Sequence, residues 1–219
     1  MLKKLVEKLK SLSEREPLDT SRFGDPLAQQ TDWSPLKGGG TNFKTHTLKQ
    51  VHAQRMEFRC SIGMLLFGGI FFLIGVGVLA GCVIGFFNRQ PDTDWKIFLF
   101  LPLFGLIFGA VGFFMLRGAM VPRVFDLSQG YYCRDRKKPE HSFDTSEITD
   151  HVRLDEIHAL QLISEYCRGD KSSYYSYELN LVLKDGSRIN VTDHGGRSAI
   201  QQDAQTLSNF LGKPLWNAI

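Results

Sequence analysis

The 219-residue chain reads as a membrane protein of the α+β class: a two-helix transmembrane hairpin joined to a small antiparallel β domain closed by a C-terminal helix. Three observations predict it. Two apolar runs, "CSIGMLLFGGIFFLIGVGVLAGCVIGFF" and "IFLFLPLFGLIFGAVGFFML", carry no charged residue, and each reaches the roughly 20 residues that a helix needs to cross a bilayer. The segments that follow alternate polar and apolar residues at period two, as half-buried strands do. The last segment switches to a helical stripe of Ile200, Ala204, Leu207, Phe210 and Leu211.

At the N-terminus, residues 1–16 place Leu2, Leu5, Val6, Leu9 and Leu12 at helical spacing, with Lys3, Lys4, Lys8, Lys10 and Arg15 among them. This predicts a basic amphipathic helix, suited either to an anionic leaflet or to a protein groove. Residues 17–42 are rich in turn formers, lack a sustained period, and read as an irregular linker. Within it, "WSPLKGGGTNFKTH" sets three glycines beside a lysine. A phosphate-binding loop carries its lysine after the last glycine, on a turn from strand to helix. Here Lys37 precedes Gly38, Gly39 and Gly40, so the glycines are expected to serve a sharp bend or a close backbone approach. Residues 43–59, "FKTHTLKQVHAQRMEFR", alternate and predict a β-hairpin that turns near His52 to Gln54.

Residues 60–87 and 97–116 are the two transmembrane helices, with 88–96 as the loop between them. Neither has the short N-terminal placement of a cleavable signal. Lys44, Lys49, Arg55 and Arg59 precede the first helix, and Arg117, Arg123, Arg134, Arg136, Lys137 and Lys138 follow the second. The loop sets only Arg89 and Lys96 against Asp92 and Asp94. The positive-inside rule then makes both termini cytoplasmic and the loop external, as expected of a bacterial inner-membrane protein, with Phe86, Phe87 and Trp95 as outer anchors. Gly77, Gly81 and Gly85, with Gly105 and Gly109, recur every four residues and are the expected helix-packing faces, either within the hairpin or against a partner. Pro102 is expected to bend the second helix. No Asp, Glu, Lys, Arg or His lies in either span, which leaves a proton relay or ion path without candidates.

Residues 121–219 form the cytoplasmic domain. "RVFDLSQGYYCRDR" gives two strands around Gln129-Gly130, and "DEIHALQLISEYCRG" gives a third. In "SSYYSYELNLVLKDGSRINV", Tyr175, Tyr177, Leu179, Leu181 and Leu183 share one face, Asp185-Gly186 turns, and Ile189 and Val191 return. The alternate face, Asn180 included, is expected to tolerate charge. Ser198 and Gln201 fit a capping box for the final helix, which Gly212 and Pro214 stop. The pattern suggests a curved sheet or barrel plugged by that helix, to which the 43–59 hairpin can add strands.

Candidates for chemistry are few. Cys60, Cys82, Cys133 and Cys167 lack C-x-x-C spacing, and His46, His52, His141, His151, His158 and His194 are scattered, so neither a disulfide framework, a metal site nor a cofactor is expected. Asp193-His194 beside Gly195-Gly196 is the one pairing worth testing, and it reads as a polar turn. No nucleophile stands at motif spacing from a base, which argues against an enzyme. Arg134, Arg136, Lys137 and Lys138 are candidates for an anionic lipid head group, although Asp135 and Glu140 dilute their field. The net charge of +3 includes the residues that set topology, which argues against nucleic acid.

Two membrane helices, then "FDLSQG", "IHALQLISE", "ELNLVLKDGSRINV" and a helix ending "FLGKPLW", resemble in their order the photosystem I assembly-factor family. More broadly they resemble bacterial pleckstrin-homology-like (PH-like) membrane domains, over Cys60 to Trp216. The resemblance implies a non-enzymatic scaffold or assembly subunit that docks proteins at the cytoplasmic face of the membrane. Its expected partners are a membrane protein complex or a second copy, met through the glycine faces and the cytoplasmic domain. Recognition of anionic lipid is the alternative.

Overall fold

The computed structural model describes residues 18–91, 93–135, 151–169 and 172–219. The basic helix expected over residues 1–16 lies outside them.

The stretch read as irregular linker contains local structure. Asp19 accepts the Ser21 amide and starts a 3-10 turn, Thr20–Phe23. Asp25 accepts the Leu27 amide and starts α1, Pro26–Gln30, with proline at the position where a missing N–H does no harm. Both elements are too short to carry a helical period, which is why the pattern is silent there.

Strands β1 (His46–His52) and β2 (Arg55–Cys60) form the expected hairpin. The chain then enters α2 (Ile62–Phe87), capped by the Ser61 hydroxyl on the Met64 amide. It returns through α3 (Ile97–Ala119), which holds Pro102 inside it. Both helices are long and apolar enough to cross a membrane. Ile62, Leu66, Leu73, Ile84, Phe100 and Phe114 are among many large apolar side chains that they leave exposed.

Next come β3 (Arg123–Asp126), β4 (Tyr131–Arg134) and β5 (Val152–Arg153), with Gly130 at φ 70° in the turn between β3 and β4. The five strands make one antiparallel sheet in the order β1-β2-β3-β4-β5. The 43–59 hairpin therefore does join the later strands, through pairs such as Phe58 with Arg123. A second sheet has the order β8-β7-β6-β9. It contains β6 (Ile157–Arg168), β7 (Ser173–Leu183) and β8 (Arg188–His194), with β9 (Leu215–Asn217) laid parallel to β6 after the last helix. The two sheets meet at one corner, where Lys44 bridges His194 and the Gly195 amide donates to the Phe43 carbonyl at 3.0 Å.

Helix α4 (Arg197–Leu211) packs Ile200, Ala204 and Leu207 into a core with Phe58, Phe125, Leu160, Leu162, Leu179 and Leu181. Full burial of each large side chain contributes about 1.5–3 kcal/mol. The capping box is corrected. The N-cap is Gly196, without a side-chain cap, and Ser198 lies inside the helix, because the His194 ring already accepts the Gly196 amide at 2.8 Å. The end of α4 is as read, with Gly212 at φ 62°.

Two further expectations change. Asn180, placed on a tolerant face, is fully buried, as are Gln161 and Val182 on the same side. In the helix pair, a Cβ on Gly77 or Gly81 would meet nothing within 4 Å, so neither packs the hairpin, and Gly85 only touches Phe98. The close contact belongs to Gly68 and Gly75 against Gly105, Gly109 and Gly112. Apart from Met64, the buried positions recur every seven residues, at Gly68, Gly75 and Cys82 and at Gly105, Gly112 and Ala119. Seven residues make almost two whole turns, so this repeat keeps one face toward the neighbour.

Candidate functional site

What buries the outer face of the second sheet is the segment from Phe23 to Phe43. At its start, Phe23 stacks on Trp33 with ring centroids 5.0 Å apart, and both lean on Trp216 of β9. Asp25, already capping α1, meets the His158 ring at 2.7 Å. Burial disfavours the Asp25 carboxylate, but the His158 and Leu27 hydrogen bonds outweigh it and hold the group below its usual range. Arg188 donates to the Ser34 carbonyl at 2.8 Å and to Asp32 at 3.0 Å, while Gln161 donates to the Asp32 carbonyl.

Farther along, two strand carboxylates capture the backbone. Glu178 of β7, 3 % exposed, accepts the Leu36 amide at 3.0 Å, the Lys37 amide at 3.3 Å and the Asn180 side chain at 2.6 Å. Glu165 of β6 accepts the Gly39 amide at 2.9 Å and the Gly40 amide at 3.2 Å. Tyr174 donates to the Gly40 carbonyl. Gly39 has φ 79°, and a Cβ on Gly40 would lie 2.1 Å from the Ser176 hydroxyl oxygen. The three-glycine stretch thus makes the close approach expected of it. Its amides face a carboxylate of the same chain, the role a phosphate would have played.

A second polar cluster joins the β domain to the helix pair. His46, at the start of β1, reaches the carbonyl of Ala119, the last residue of α3, and contacts the Arg123 guanidinium. Arg123 donates to the Val191 carbonyl of β8 at 2.9 Å. Burial, then the Arg123 charge, pushes the His46 pKa down to about 3, and burial lowers that of Arg123 to about 10. His46 is therefore neutral and Arg123 charged near neutrality. His194 is lowered to about 4 by burial and then by Lys44.

The residues singled out from sequence are placed as follows. Arg134 is half-buried at the end of β4, opposite Arg123 in register, while Arg136, Lys137 and Lys138 lie outside the described residues. Asp193 and His194 are neighbours on a strand and so point to opposite sides. Asp193 accepts from Asn190, and His194 accepts from Gly196. All four cysteines are free thiols. Among the described residues no group of three or more His, Cys, Asp or Glu side chains could hold a metal ion.

Glu165, Glu178, Asp25 and Arg188 escaped the sequence reading because their partners lie more than a hundred residues away. The helix contact did leave a signal: small residues every seven positions through Ser61, Gly68, Gly75 and Cys82. Chemically, the strapped face grips polypeptide backbone through carboxylates and amides. Comparison with protein-family models, curated proteins and solved structures found no match for this chain.

Proposed function

We propose that this protein is a non-enzymatic docking subunit held in a membrane by α2 and α3, with both helix ends and the β domain on the cytoplasmic side of a bacterial inner membrane. One observation carries the reading: the two apolar helices are inserted between β2 and β3, which are neighbours paired in one sheet. A body interrupted in this way has both helix ends on one side and a fixed orientation to the membrane. Meandering strands in two sheets, closed by a C-terminal helix, support a kinship with PH-like membrane domains. The role assigned to the domain is to hold a partner protein at the membrane surface.

The reading is tested in two steps. A cysteine placed at Thr93 should be labelled by an impermeant reagent from outside the cell and one placed at Ser172 should not; the reverse pattern overturns the topology. Isolation in mild detergent should then yield a protein companion at fixed stoichiometry. A single species carrying only bound acidic lipid would reject docking in favour of lipid recognition.

A further inference from the structure

Strand direction fixes where the free end of the β6–β7 hairpin goes. β2 runs toward the start of α2, and the Ser61 cap donates to the Lys44 carbonyl, so Lys44 lies level with that start. Lys44 bridges His194 antiparallel, His194 pairs with Tyr177, and Tyr177 pairs with Ser164. These residues make one row across the corner of the two sheets. β8 ends at this row, whereas β6 and β7 run on together from Glu165 to Arg168 and from Ser176 back to Ser173.

By alternation of strand sense, that extension points the same way as α2. Four residues at about 3.3 Å carry it about 13 Å beyond the row, which equals about the first nine residues of α2 at 1.5 Å each. Side-chain contacts agree with this placement. Gly40 packs on Ser176 of the ribbon, and three residues later Phe43 packs on Phe67 of α2 with ring centroids 5.9 Å apart.

On this ribbon Tyr166 and Tyr175 sit opposite one another with ring centroids 5.2 Å apart, 50 % and 51 % exposed. Arg168 is exposed beyond them. A tyrosine offers an apolar ring and a polar tip, which suits the boundary between acyl chains and head groups. α2 has 26 residues, about 39 Å against the ~30 Å hydrocarbon core, which leaves about 9 Å of helix for the boundary layers.

We infer that the β6–β7 ribbon is an interfacial anchor, seating the Tyr166–Tyr175 pair in the phospholipid leaflet from which α2 and α3 emerge. The inference rests on the reading that α2 and α3 span the membrane. It gives the β domain a second attachment beside the helices, and so fixes its tilt as well as its position.

The test places single tryptophans in the full chain, reconstituted in phosphatidylcholine–phosphatidylglycerol vesicles with or without bromine on the acyl chains. Each signal is read against the unsubstituted protein. Tyr175→Trp should lose fluorescence to brominated lipid, as Phe72→Trp in α2 should, whereas Lys184→Trp at the far β7–β8 turn should lose none. Quenching at Phe72→Trp with none at Tyr175→Trp overturns the anchor and leaves the spanning helices standing. If Tyr175→Trp is also shielded from aqueous acrylamide, a protein covers the ribbon and the lipid assignment is rejected. Absence of quenching at Phe72→Trp rejects the spanning reading, and the anchor falls with it.

Discussion

The α2–α3 contact and the strap on the outer face of the β domain solve the same problem by different means. In each, one stretch of backbone lies nearly against another. Between the helices the approach is made by glycine alone: a Cβ on Gly75 would lie 2.2 Å from the Gly109 nitrogen and 2.6 Å from the Gly105 carbonyl oxygen. The helices already satisfy their own hydrogen bonds, so only shape is left to hold them. Under the strap, the amides of Leu36, Lys37, Gly39 and Gly40 have no secondary-structure partner, and Glu178 and Glu165 supply one. A close contact between completed helices needs only room, whereas one made by irregular backbone needs acceptors as well.

The comparison breaks most visibly at Gly75. Gly75→Leu should cost on the order of 3 kcal/mol or more, because backbone cannot yield to the added side chain. Gly77→Leu, which points to open space, should stay within about 0.5 kcal/mol of the parent. Thermal unfolding in detergent, followed by circular dichroism, separates the two, and equal effects would refute the seven-residue contact.

Glu178→Leu should be next in size, at about 2–3 kcal/mol, since it removes the acceptor of the Leu36 and Lys37 amides and leaves the Asn180 side chain with Gln161 alone. Its signature is local: protease should cut between residues 23 and 43 faster, while the helix pair remains intact. An unchanged cleavage rate would mean that the Phe23, Trp33 and Trp216 stack and the bonds of Asp25, Arg188 and Glu165 hold the strap without Glu178.

Acid should reach the strapped domain and spare the helix contact, since neither helix holds a carboxylate or a histidine. The folded pKa values of His46 and His194, about 3 and about 4, lie below the ordinary 6.5. Their contribution to stability is complete above pH 6.5 and falls as pH drops from there toward the folded values. Between pH 6.5 and 5.5 the loss should be about 2 kcal/mol for the two together. Asp193 and Asp203, raised by burial, act in the opposite sense, so the histidine share is isolated with His194→Asn. That variant should show a flatter dependence between pH 6.5 and 4, and a curve as steep as the parent's would remove His194 from the account.

The smallest effects lie in the three-glycine stretch. Gly39→Val should cost about 1 kcal/mol, because a branched residue is penalised at positive φ. Lys37→Ala should change stability by less than about 0.5 kcal/mol, since it is the Lys37 amide that is captured. Saturable nucleotide binding lost on Lys37→Ala would overturn the structural role of this segment.

Much of the fold is legible in the sequence. The β1–β2 turn, the Gly130 and Gly186 turns, the apolar face of β7 and the Gly212 stop all lie where pattern puts them. The capping box failed because the His194 ring does the work from outside the helix. Asn180 failed because alternation assigns a residue to a face without telling what covers that face.

Sequence by itself determined the length and apolar character of α2 and α3, the phase of the strands and the order of elements. These depend on periods of 3.6 and 2 residues that a local window contains. Tertiary structure alone decided which glycines touch, that residues 23–43 close the second sheet, and that Glu178 meets Leu36 across 142 positions. A local window holds no record of a partner so distant. The pairing follows from the close packing of the whole chain and from the cost of leaving a buried carboxylate or amide unsatisfied.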